Sequence, residues 1–271
     1  MTVPLIELQH VRRTFTVDRR QLVAVDDLSL CIHAGEIICL VGESGCGKTT
    51  TGKLIARLLP PTSGSIRFRG QDIAHLHGDA YKRYRLGVQL IHQDPYAALN
   101  PAHTVYDILA APLRRHRLTR DERGTRARVC ELLAWVDLTP PDELLGKYPH
   151  QLSGGQRQRV ALARALTVTP AFLIADEAVS MVDVSIQISL VNTLMRLKEQ
   201  IGLGVLFITH DLALAKYIGW EGRIGVMEKG RLVELAPTPL LIARPQHPYT
   251  QALLAAIPQL DPELHRAQST T

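Results

Sequence analysis

The sequence predicts an α/β fold with a mainly parallel β-sheet, and three apolar runs are the main reason. The runs have the length and composition of buried strands and occupy residues 36–41 (EIICLV), 171–177 (AFLIADE) and 203–209 (LGVLFIT). Strands that are covered on both faces read as short, nearly continuous apolar runs. Residues 49–59 (TTTGKLIARLL) follow the first run and have the composition of a helix. A strand, a loop and a helix in this order are typical of α/β folds.

A glycine-rich loop joins the first predicted strand to this helix. Residues 42–49 read GESGCGKT and match G-x-x-x-x-G-K-S/T at every fixed position. The glycines allow the backbone to curl so that its N–H groups point at phosphate oxygens. We expect Lys48 to reach the β- and γ-phosphates of a nucleotide and the Thr49 hydroxyl to ligate Mg²⁺. The alternative is a glycine-rich turn before an ordinary helix.

The second apolar run ends in two carboxylates. We expect Asp176 to hold Mg²⁺, directly or through water, and Glu177 to polarise the attacking water. This division of roles suits phosphoryl transfer, in which the protein mainly positions water and neutralises charge. Alone, this pair is equally compatible with a surface turn. Together with the glycine-rich loop, it predicts a catalytic pair.

Two further polar side chains follow predicted strands. His210 comes directly after the third apolar run, and Gln93 follows a short strand in VQLIHQDP. Since ligands bind at the carboxyl ends of parallel strands, we expect His210 to reach the γ-phosphate. Gln93 is expected to offer its amide oxygen to Mg²⁺ and to the attacking water. The alternative for His210 is a structural histidine.

A second candidate anion site begins at residue 151. Residues 151–166 read QLSGGQRQRVALARAL and predict an amphipathic helix that Ser153 can cap. Gly154, Gly155 and Gln156 are expected to leave the first backbone N–H groups of this helix bare. A helix start with free N–H groups and a positive dipole end binds anions.

Composition limits the function classes that remain. The chain has 271 residues, a net charge of +5 and 5% aromatic residues, without a basic run that alternates with aromatics, so nucleic acid is not an expected partner. No run approaches the ~18 apolar residues of a membrane span. The start MTVPLIELQH shows no signal-peptide pattern. The four cysteines form no C-x-x-C pair, which predicts a reduced chain without structural zinc or an iron–sulfur framework.

Five short segments occur in one order along the chain: GESGCGKT, HQDP, LSGGQRQR, LIADE and ITHD. Together they resemble the nucleotide-binding subunit of an ABC transporter, over roughly residues 3–258. LSGGQ is the discriminating segment, because other P-loop ATPases lack it. The resemblance implies a P-loop NTPase core with a mainly parallel sheet, an antiparallel β layer and a helical signature-motif subdomain. It also implies ATP and Mg²⁺ as cofactors.

The resemblance implies a function for the second candidate anion site. In the family, two subunits face each other head to tail, and each LSGGQ segment binds the γ-phosphate of ATP held by the other P-loop. The implied partners are a second, related but non-identical ABC ATPase subunit, two membrane permease subunits and, indirectly, an extracytoplasmic solute-binding protein. The implied location is peripheral, at the cytoplasmic face of the plasma membrane.

Further nucleotide contacts follow from the resemblance. Phe15, in VRRTF, matches the aromatic residue that stacks on adenine, and Asp183, in SMVD, matches the loop that touches the partner's P-loop. A core phenylalanine on the first strand is the alternative for Phe15, and the flanking Arg12 and Arg13 are expected on a solvated face. The implied nucleotide-contacting residues are Phe15, Gly42, Glu43, Ser44, Gly45, Cys46, Gly47, Lys48, Thr49, Thr50, Ser153, Gly154, Gly155, Gln156 and Asp183.

The organisation is predicted in two parts. Residues 1–235 form the ABC-type nucleotide-binding domain, with a helical subdomain at about 96–154, and residues 236–271 form a C-terminal extension. Residues 1–33 with 64–70 are expected to form the antiparallel layer. The segment EKGRLVEL predicts a hairpin that turns at Lys229 and Gly230.

The C-terminal extension indicates a branch of the family and therefore a class of transported solute. Its segment RPQHPYTQALLAAIPQLDPE resembles the oligopeptide/dipeptide import branch, which also includes nickel and some oligosaccharide importers. It contains no cysteine, so the iron–sulfur centre of some relatives is not expected. The implied function is an ATPase that powers solute import, most simply of oligopeptides or dipeptides, through separate membrane subunits.

Two alternatives stay open at this point. One is an ABC-type ATPase of a soluble complex, such as one for phosphonate breakdown. The other is a non-hydrolysing regulatory subunit, suggested by DEAVSMVD where the family commonly reads D-E-P-T-S-x-L-D. Both carboxylates are retained, so hydrolysis is expected.

Overall fold

The structure is a computed structural model that describes residues 3–91, 99–179 and 183–256. The described strands form two sheets. The strands are β1 (Ile6–Val17), β2 (Arg20–Ile32), β3 (Ile37–Val41), β4 (Ser63–Phe68), β5 (Gln71–Asp72), β6 (Val88–Ile91), β7 (Phe172–Asp176), β8 (Gly204–Ile208), β9 (Arg223–Glu228) and β10 (Arg231–Pro237). The helices are α1 (Lys48–Ile55), α2 (Gly78–Gly87), α3 (Val105–Arg115), α4 (Glu122–Trp135), α5 (Asp142–Leu145), α6 (Gly154–Leu166), α7 (Val184–Ile201), α8 (Leu212–Ile218), α9 (Thr238–Ala243) and α10 (Pro248–Ala255).

The central sheet has the strand order β10-β9-β3-β8-β7-β6. Its pairs are parallel except that of β10 with β9. The sheet is therefore mainly parallel, which confirms the predicted fold class. Leu40 of β3 and Asp176 of β7 both pair with Ile208 of β8. The carboxyl ends of these three strands consequently lie side by side at one edge of the sheet.

The two faces of the central sheet are covered by different layers. On β3, Ile38 and Leu40 belong to one buried cluster, whereas Ile37, Cys39 and Val41 belong to the other. This alternation follows from the two-residue period of a strand. The first cluster is shared with α1 and the antiparallel sheet, and the second is shared with α3 to α9.

The antiparallel sheet has the order β2-β1-β4-β5 and forms the predicted antiparallel layer. Its apolar residues Ile6 and Leu8 lie in the same buried cluster as Leu54 and Ile55 of α1. Because α1 begins inside the glycine-rich loop, this packing ties the layer to that loop.

The described residues 99–171, which precede β7, are mainly helical. α3 begins at a capping box, in which the Thr104 hydroxyl accepts the N–H of Asp107 and the Asp107 carboxylate accepts the N–H of Thr104. Asp121 caps α4. Leu99 and Val105 are buried, as expected for core positions. In the described ranges, no helix combines the length and the apolar character needed to cross a membrane.

Asp137 connects three helices of this region, because it follows α4 and contacts α6 and α7. Its carboxylate accepts hydrogen bonds from Arg159 at 3.1 Å, Thr193 at 2.6 Å and Arg196 at 2.7 Å. Arg159 also donates to the Ser189 hydroxyl at 2.7 Å. Burial opposes ionisation of Asp137, but the hydrogen bonds from Thr193, Arg196 and Arg159 outweigh it and lower its pKa.

The C-terminal part of the described chain begins with the predicted hairpin, which is confirmed. β9 and β10 pair around Lys229 and Gly230, whose φ values of 46° and 86° suit a type I′ turn. The helices α9 and α10 follow. Glu234 of β10 accepts hydrogen bonds from the backbone N–H groups of Gln246 and His247 at 2.9 and 3.0 Å, which holds the start of α10 against β10.

Replacement of Asp137 by Asn is expected to lower the free energy of unfolding by about 1–2 kcal/mol at neutral pH, because charge-assisted hydrogen bonds become neutral ones. The folded-state pKa of Asp137 is lowered, so its contribution is fully present above the ordinary value of 3.8 and is lost as the pH falls through the folded-state pKa. Urea unfolding between about pH 8 and pH 5 should thus give a constant difference from the wild type.

The matched control is Asp142→Asn. Asp142 pairs with Arg126 at 2.7 Å, and both side chains are exposed. This surface pair is expected to contribute no more than about 0.5 kcal/mol. Equal destabilisation by both substitutions would contradict the assigned role of Asp137.

Candidate functional site

The glycine-rich loop is curled as its sequence predicts, and two glycines make this possible. Gly42 and Gly47 adopt φ values of 147° and 107°, which side chains disfavour. A Cβ atom on Gly42 would lie 2.2 Å from the Met227 carbonyl oxygen, and one on Gly47 would lie 2.3 Å from the Ala24 carbonyl oxygen. Glycine is therefore required at both positions for steric reasons.

Lys48 occupies the centre of the loop. Its side chain is buried, with 5% of the residue exposed, and its ammonium donates to the carbonyl oxygens of Gly42 at 2.6 Å and Glu43 at 2.7 Å. A buried cation needs polar partners, and here the loop backbone supplies them. Backbone carbonyls carry only partial charge, so phosphate oxygens placed at this point would be stronger partners for the ammonium.

The loop is braced by chain segments far away in sequence. The N–H of Gly230, in the turn between β9 and β10, donates to the Cys46 carbonyl oxygen at 3.0 Å. The N–H of Glu43 donates to the Tyr249 hydroxyl of α10 at 3.2 Å. Exposed residues lie between these two braces, namely Ser44 and Gly45.

Thr49 and Asp176 bring two oxygen atoms together. The Thr49 hydroxyl donates to the Asp176 carboxylate at 3.0 Å, and Asp176 is buried, with 4% exposed. Oxygen atoms at this separation fit Mg²⁺, which takes one or two protein ligands and completes its shell with water and phosphate. Elsewhere in the described part of the chain, no group of three or more His, Cys, Asp or Glu side chains is arranged to hold a metal ion. Thr50 follows as a half-buried residue of α1.

Glu177 and His210 lie together at the same sheet edge. His210 Nδ1 is 3.3 Å from Glu177 Oε1, and the side chain of Glu177 is 17% exposed, whereas that of His210 is 55% exposed. The N–H of Glu177 donates to the Ile208 carbonyl oxygen at 3.0 Å, which fixes its turn at a φ of 48°. Asp211 instead caps α8 by accepting N–H bonds. A carboxylate beside an accessible imidazole can orient water and move a proton.

Phe15 lies apart from the core, so the alternative of a core phenylalanine is not favoured. Its ring is half-buried and belongs to neither buried cluster. The Arg13 guanidinium lies 4.6 Å from the ring centroid and donates to the Pro60 carbonyl oxygen at 2.9 Å. Arg13 is half-buried on the Phe15 ring, whereas Arg12 is exposed, as expected for a solvated face. Arg12 pairs with Asp26 at 3.3 Å.

The second anion site begins at Ser153, which caps α6 as predicted. The Ser153 hydroxyl accepts the N–H of Gln156 at 3.2 Å, and the Gln156 side chain accepts the N–H of Ser153 at 3.0 Å. The expectation that Gln156 presents a bare N–H is therefore wrong, because the capping box uses it. The half-buried Gly154 comes first in the helix. Gly155 also has a packing role, since a Cβ atom there would lie 2.8 Å from Ile186 Cγ2.

A groove lies beside Ser153, and the residues that line it include Asp137, Lys147, Gly155, Arg159 and Ile186 but none from the glycine-rich loop. Asp183 lies at the exposed start of α7 without a side-chain capping bond. Gln93 falls in residues 92–98 and lies outside the described residues, as do residues 180–182 of DEAVSMVD.

Sequence reasoning missed two contributors to the loop, Gly230 and Tyr249. Both reach it through single hydrogen bonds across a large sequence separation. Neither residue lies in a sequence pattern that predicts phosphate binding. The one sequence feature that singles out the region of Tyr249 is the resemblance of the C-terminal extension to the peptide-import branch.

Two family models, several curated relatives and solved structures are similar to this chain. The family model described as ABC transporter matches residues 25–180, and the model described as oligopeptide/dipeptide transporter, C-terminal region, matches residues 233–271. The oligopeptide transport ATP-binding protein OppF of Bacillus subtilis (strain 168) is 48% identical over 270 residues, which cover 98% of this chain and 86% of that protein. OppF of Streptococcus mutans is 45% identical over 263 residues, covering 97% and 84%.

A solved structure is also similar. It is the dimeric post-hydrolysis state of the ATP-binding cassette MJ0796 bound to ADP and Pi, with a TM-score of 0.77 and 28% identity over 86% of this chain and 98% of that one. The two family models together span the curled loop, the Thr49–Asp176 contact and the C-terminal helices. The chain therefore belongs to the ABC transporter family of ATP-binding proteins and carries the C-terminal region of the oligopeptide/dipeptide transporters.

Proposed function

We propose that this chain hydrolyses ATP to power the import of oligopeptides or dipeptides through separate membrane subunits. The observation that carries the ATPase function is the convergence of Lys48, the Thr49–Asp176 pair and the Glu177–His210 pair at one sheet edge. The peptide class is supported by the relatives, which are named oligopeptide transport ATP-binding proteins. A soluble complex and a non-hydrolysing subunit have no such support.

Each of these residues, together with Gln93, has a proposed catalytic role. Lys48 exchanges its carbonyl partners for the β- and γ-phosphate oxygens of ATP. Thr49 and Asp176, together with Gln93, would hold Mg²⁺, and the ion would supply positive charge to neutralise the phosphates. Glu177 orients the attacking water and accepts its proton. His210 holds the Glu177 carboxylate in position and donates a hydrogen bond to the γ-phosphate.

Nucleotide binding extends over the remaining predicted contacts. The backbone of residues 42–50 surrounds the phosphates, and Phe15 stacks on the adenine. These roles belong to a nucleotide-binding domain of residues 1–235, with a helical subdomain at about 96–154 and a C-terminal extension at 236–271.

The Ser153 site serves a neighbour's nucleotide in this proposal. None of the residues that line the groove beside Ser153 comes from this chain's own loop, which supports a head-to-tail pair, and the similar cassette MJ0796 is described as dimeric. Ser153, Gly154, Gly155 and Gln156 face the partner's γ-phosphate, and Asp183 faces its P-loop. The partner is a related, non-identical ATPase chain.

The assembly in this proposal includes two membrane permease subunits and, indirectly, an extracytoplasmic solute-binding protein. The ATPase chains then lie peripherally at the cytoplasmic face of the membrane. Family membership supports permease partners, because the relatives are transport ATP-binding proteins.

Glu177→Gln is expected to lower ATP turnover of the assembled transporter by roughly 10²-fold or more, because it removes the group that handles the proton of water. ATP affinity should stay within about twofold, since Lys48, Thr49 and Asp176 remain. Phosphate release and equilibrium ATP binding measure the two quantities. Glu199→Gln, at an exposed position on α7, is the matched control and should leave both unchanged. Near-normal turnover in Glu177→Gln would contradict the role of Glu177.

Phe15→Ala is expected to weaken ATP binding by about 0.5–1.5 kcal/mol, the range for aromatic stacking. Phe15→Tyr should bind almost normally because the ring is retained. Leu22→Ala is the control, since Leu22 is the exposed cross-strand partner of Phe15 on β2. Titration with a fluorescent ATP analogue gives the affinities. Equal loss in Phe15→Ala and Leu22→Ala would point to a disturbed strand and would count against stacking.

Ser153→Arg is expected to leave ATP binding by the isolated chain unchanged and to lower ATPase activity of the assembled transporter by orders of magnitude. The added cation and bulk block the helix start that faces the partner's ATP, whereas this chain's own loop is intact. The lost cap should cost only about 1 kcal/mol, so the fold survives. Ser153→Thr keeps a capping hydroxyl and serves as the control.

Photolabelling with an ATP analogue separates the two half-sites. Label should be lost from the partner chain rather than from the Ser153→Arg chain. Loss of ATP binding by the isolated variant would place Ser153 in its own chain's nucleotide site and overturn the head-to-tail proposal.

A further inference from the structure

The C-terminal extension is attached to the nucleotide-binding core by polar and apolar contacts. Glu234 accepts the N–H groups of Gln246 and His247, which fixes the approach to α10. Along α10, Tyr249 and Leu253 pack against the buried cluster on the helical face of the central sheet. The extension is therefore held where its side chains can act on the phosphate loop.

One side chain of α10 reaches that loop. The Tyr249 hydroxyl accepts the backbone N–H of Glu43 at 3.2 Å, across 206 residues of sequence. Burial raises the pKa of the Tyr249 hydroxyl, so it stays neutral near pH 7. A neutral hydroxyl accepts this bond without placing a negative charge beside the phosphate site.

The peptide groups of Glu43 are engaged on both sides. Its carbonyl oxygen accepts from the Lys48 ammonium at 2.7 Å and from the Cys46 N–H at 3.3 Å. Its N–H is the group that Tyr249 holds. A hydrogen bond to the N–H thus restrains the same residue whose carbonyl holds Lys48.

Two braces therefore enclose the exposed part of the loop. Gly230 fixes Cys46, and Tyr249 fixes Glu43, with Ser44 and Gly45 exposed between them. Without the Tyr249 hydroxyl, only the Cys46 brace of these two would remain. The N–H of Glu43 would then be free to move from its present position. The Glu43 carbonyl oxygen, which accepts from the Lys48 ammonium, would move with it.

We propose that Tyr249 is a positioning residue by which the C-terminal extension sets the phosphate loop for ATP. The proposal rests on the proposed function, since it deepens the role of the loop that binds ATP. Tyr249 acts through the backbone of Glu43 and touches no reacting atom. Its effect belongs to the ordering of the loop before ATP binds, so it changes affinity more than the chemical step.

Tyr249→Phe in the full-length chain tests this directly, because it removes the hydroxyl and keeps the ring that packs on the core. ATP binding by the chain should weaken about two- to tenfold, the loss that one net hydrogen bond corresponds to. In the assembled transporter, KM for ATP should rise by the same factor, and kcat should stay within about twofold. Hydrogen exchange should accelerate in the peptide that covers residues 42–48.

Tyr217→Phe is the matched control. Its hydroxyl also makes a single hydrogen bond, to Asn192 at 2.8 Å, and this bond joins α8 to α7. The substitution should leave ATP affinity and hydrogen exchange of residues 42–48 unchanged. Glu234→Ala is the second test, because it releases the approach to α10 while Tyr249 remains, and it should act in the same direction as Tyr249→Phe.

Unchanged ATP affinity and unchanged exchange of residues 42–48 in Tyr249→Phe would overturn the proposal. Faster exchange throughout the chain would also overturn it, because the hydroxyl would then serve general stability. Lys48→Ala separates this inference from the ATPase function. If Lys48→Ala abolishes ATP binding and Tyr249→Phe has no effect, the positioning role alone fails. If Lys48→Ala binds ATP normally, the function assigned to the loop fails.

Discussion

The register of β3, β8 and β7 is the constraint on which the rest of the site depends. Leu40 and Asp176 both pair with Ile208, so the three strands end in one row. The loop, the Asp176 carboxylate and the Glu177–His210 pair all start from that row. A shift of one residue in any of these strands would move a buried aliphatic side chain to the opposite core and would also separate Thr49 from Asp176. Core packing and site geometry are thus set by the same pairing.

The loop that follows β3 combines a sterically restricted backbone with a buried positive charge, the Lys48 ammonium. Met227 and Ala24 approach so closely that no Cβ atom fits on Gly42 or Gly47. The curled backbone then directs the carbonyl oxygens of residues 42 and 43 at the Lys48 ammonium. A buried ammonium is costly unless it has strong polar partners. Carbonyl oxygens meet this need only in part, which leaves a site where a phosphate group is a better partner than the loop itself.

Local sequence patterns are enough to predict the fold class and to identify the main candidate residues. The loop, the carboxylates after β7 and the cap of α6 depend on residues a few positions apart, so periodicity and motif spacing identify them. The roles of Gln156 and Tyr249 could not be predicted in this way. The Tyr249 hydroxyl reaches the loop by a contact across 206 residues, and the stacking of Arg13 on Phe15 likewise involves a distant acceptor, the Pro60 carbonyl oxygen. Gln156 was misjudged because a glutamine at the third helical position can close a capping box, which consumes the N–H group expected to bind an anion.

The two anion sites of the chain differ in how they could hold phosphate. The loop offers the buried Lys48 ammonium, the Thr49 hydroxyl beside Asp176 and a backbone that only glycine permits. The start of α6 offers the Ser153 hydroxyl and a helix dipole. The N–H of Gln156 is already engaged in the capping box, and Gly155 packs against Ile186. The α6 site is therefore the weaker of the two and would bind phosphate poorly by itself. It gains strength only when another loop already holds the nucleotide and presents its terminal phosphate. This imbalance gives a physical reason for the proposed pairing: ATP first binds the strong half-site of one chain, and the weak half-site of the other then adds the contact that closes the pair.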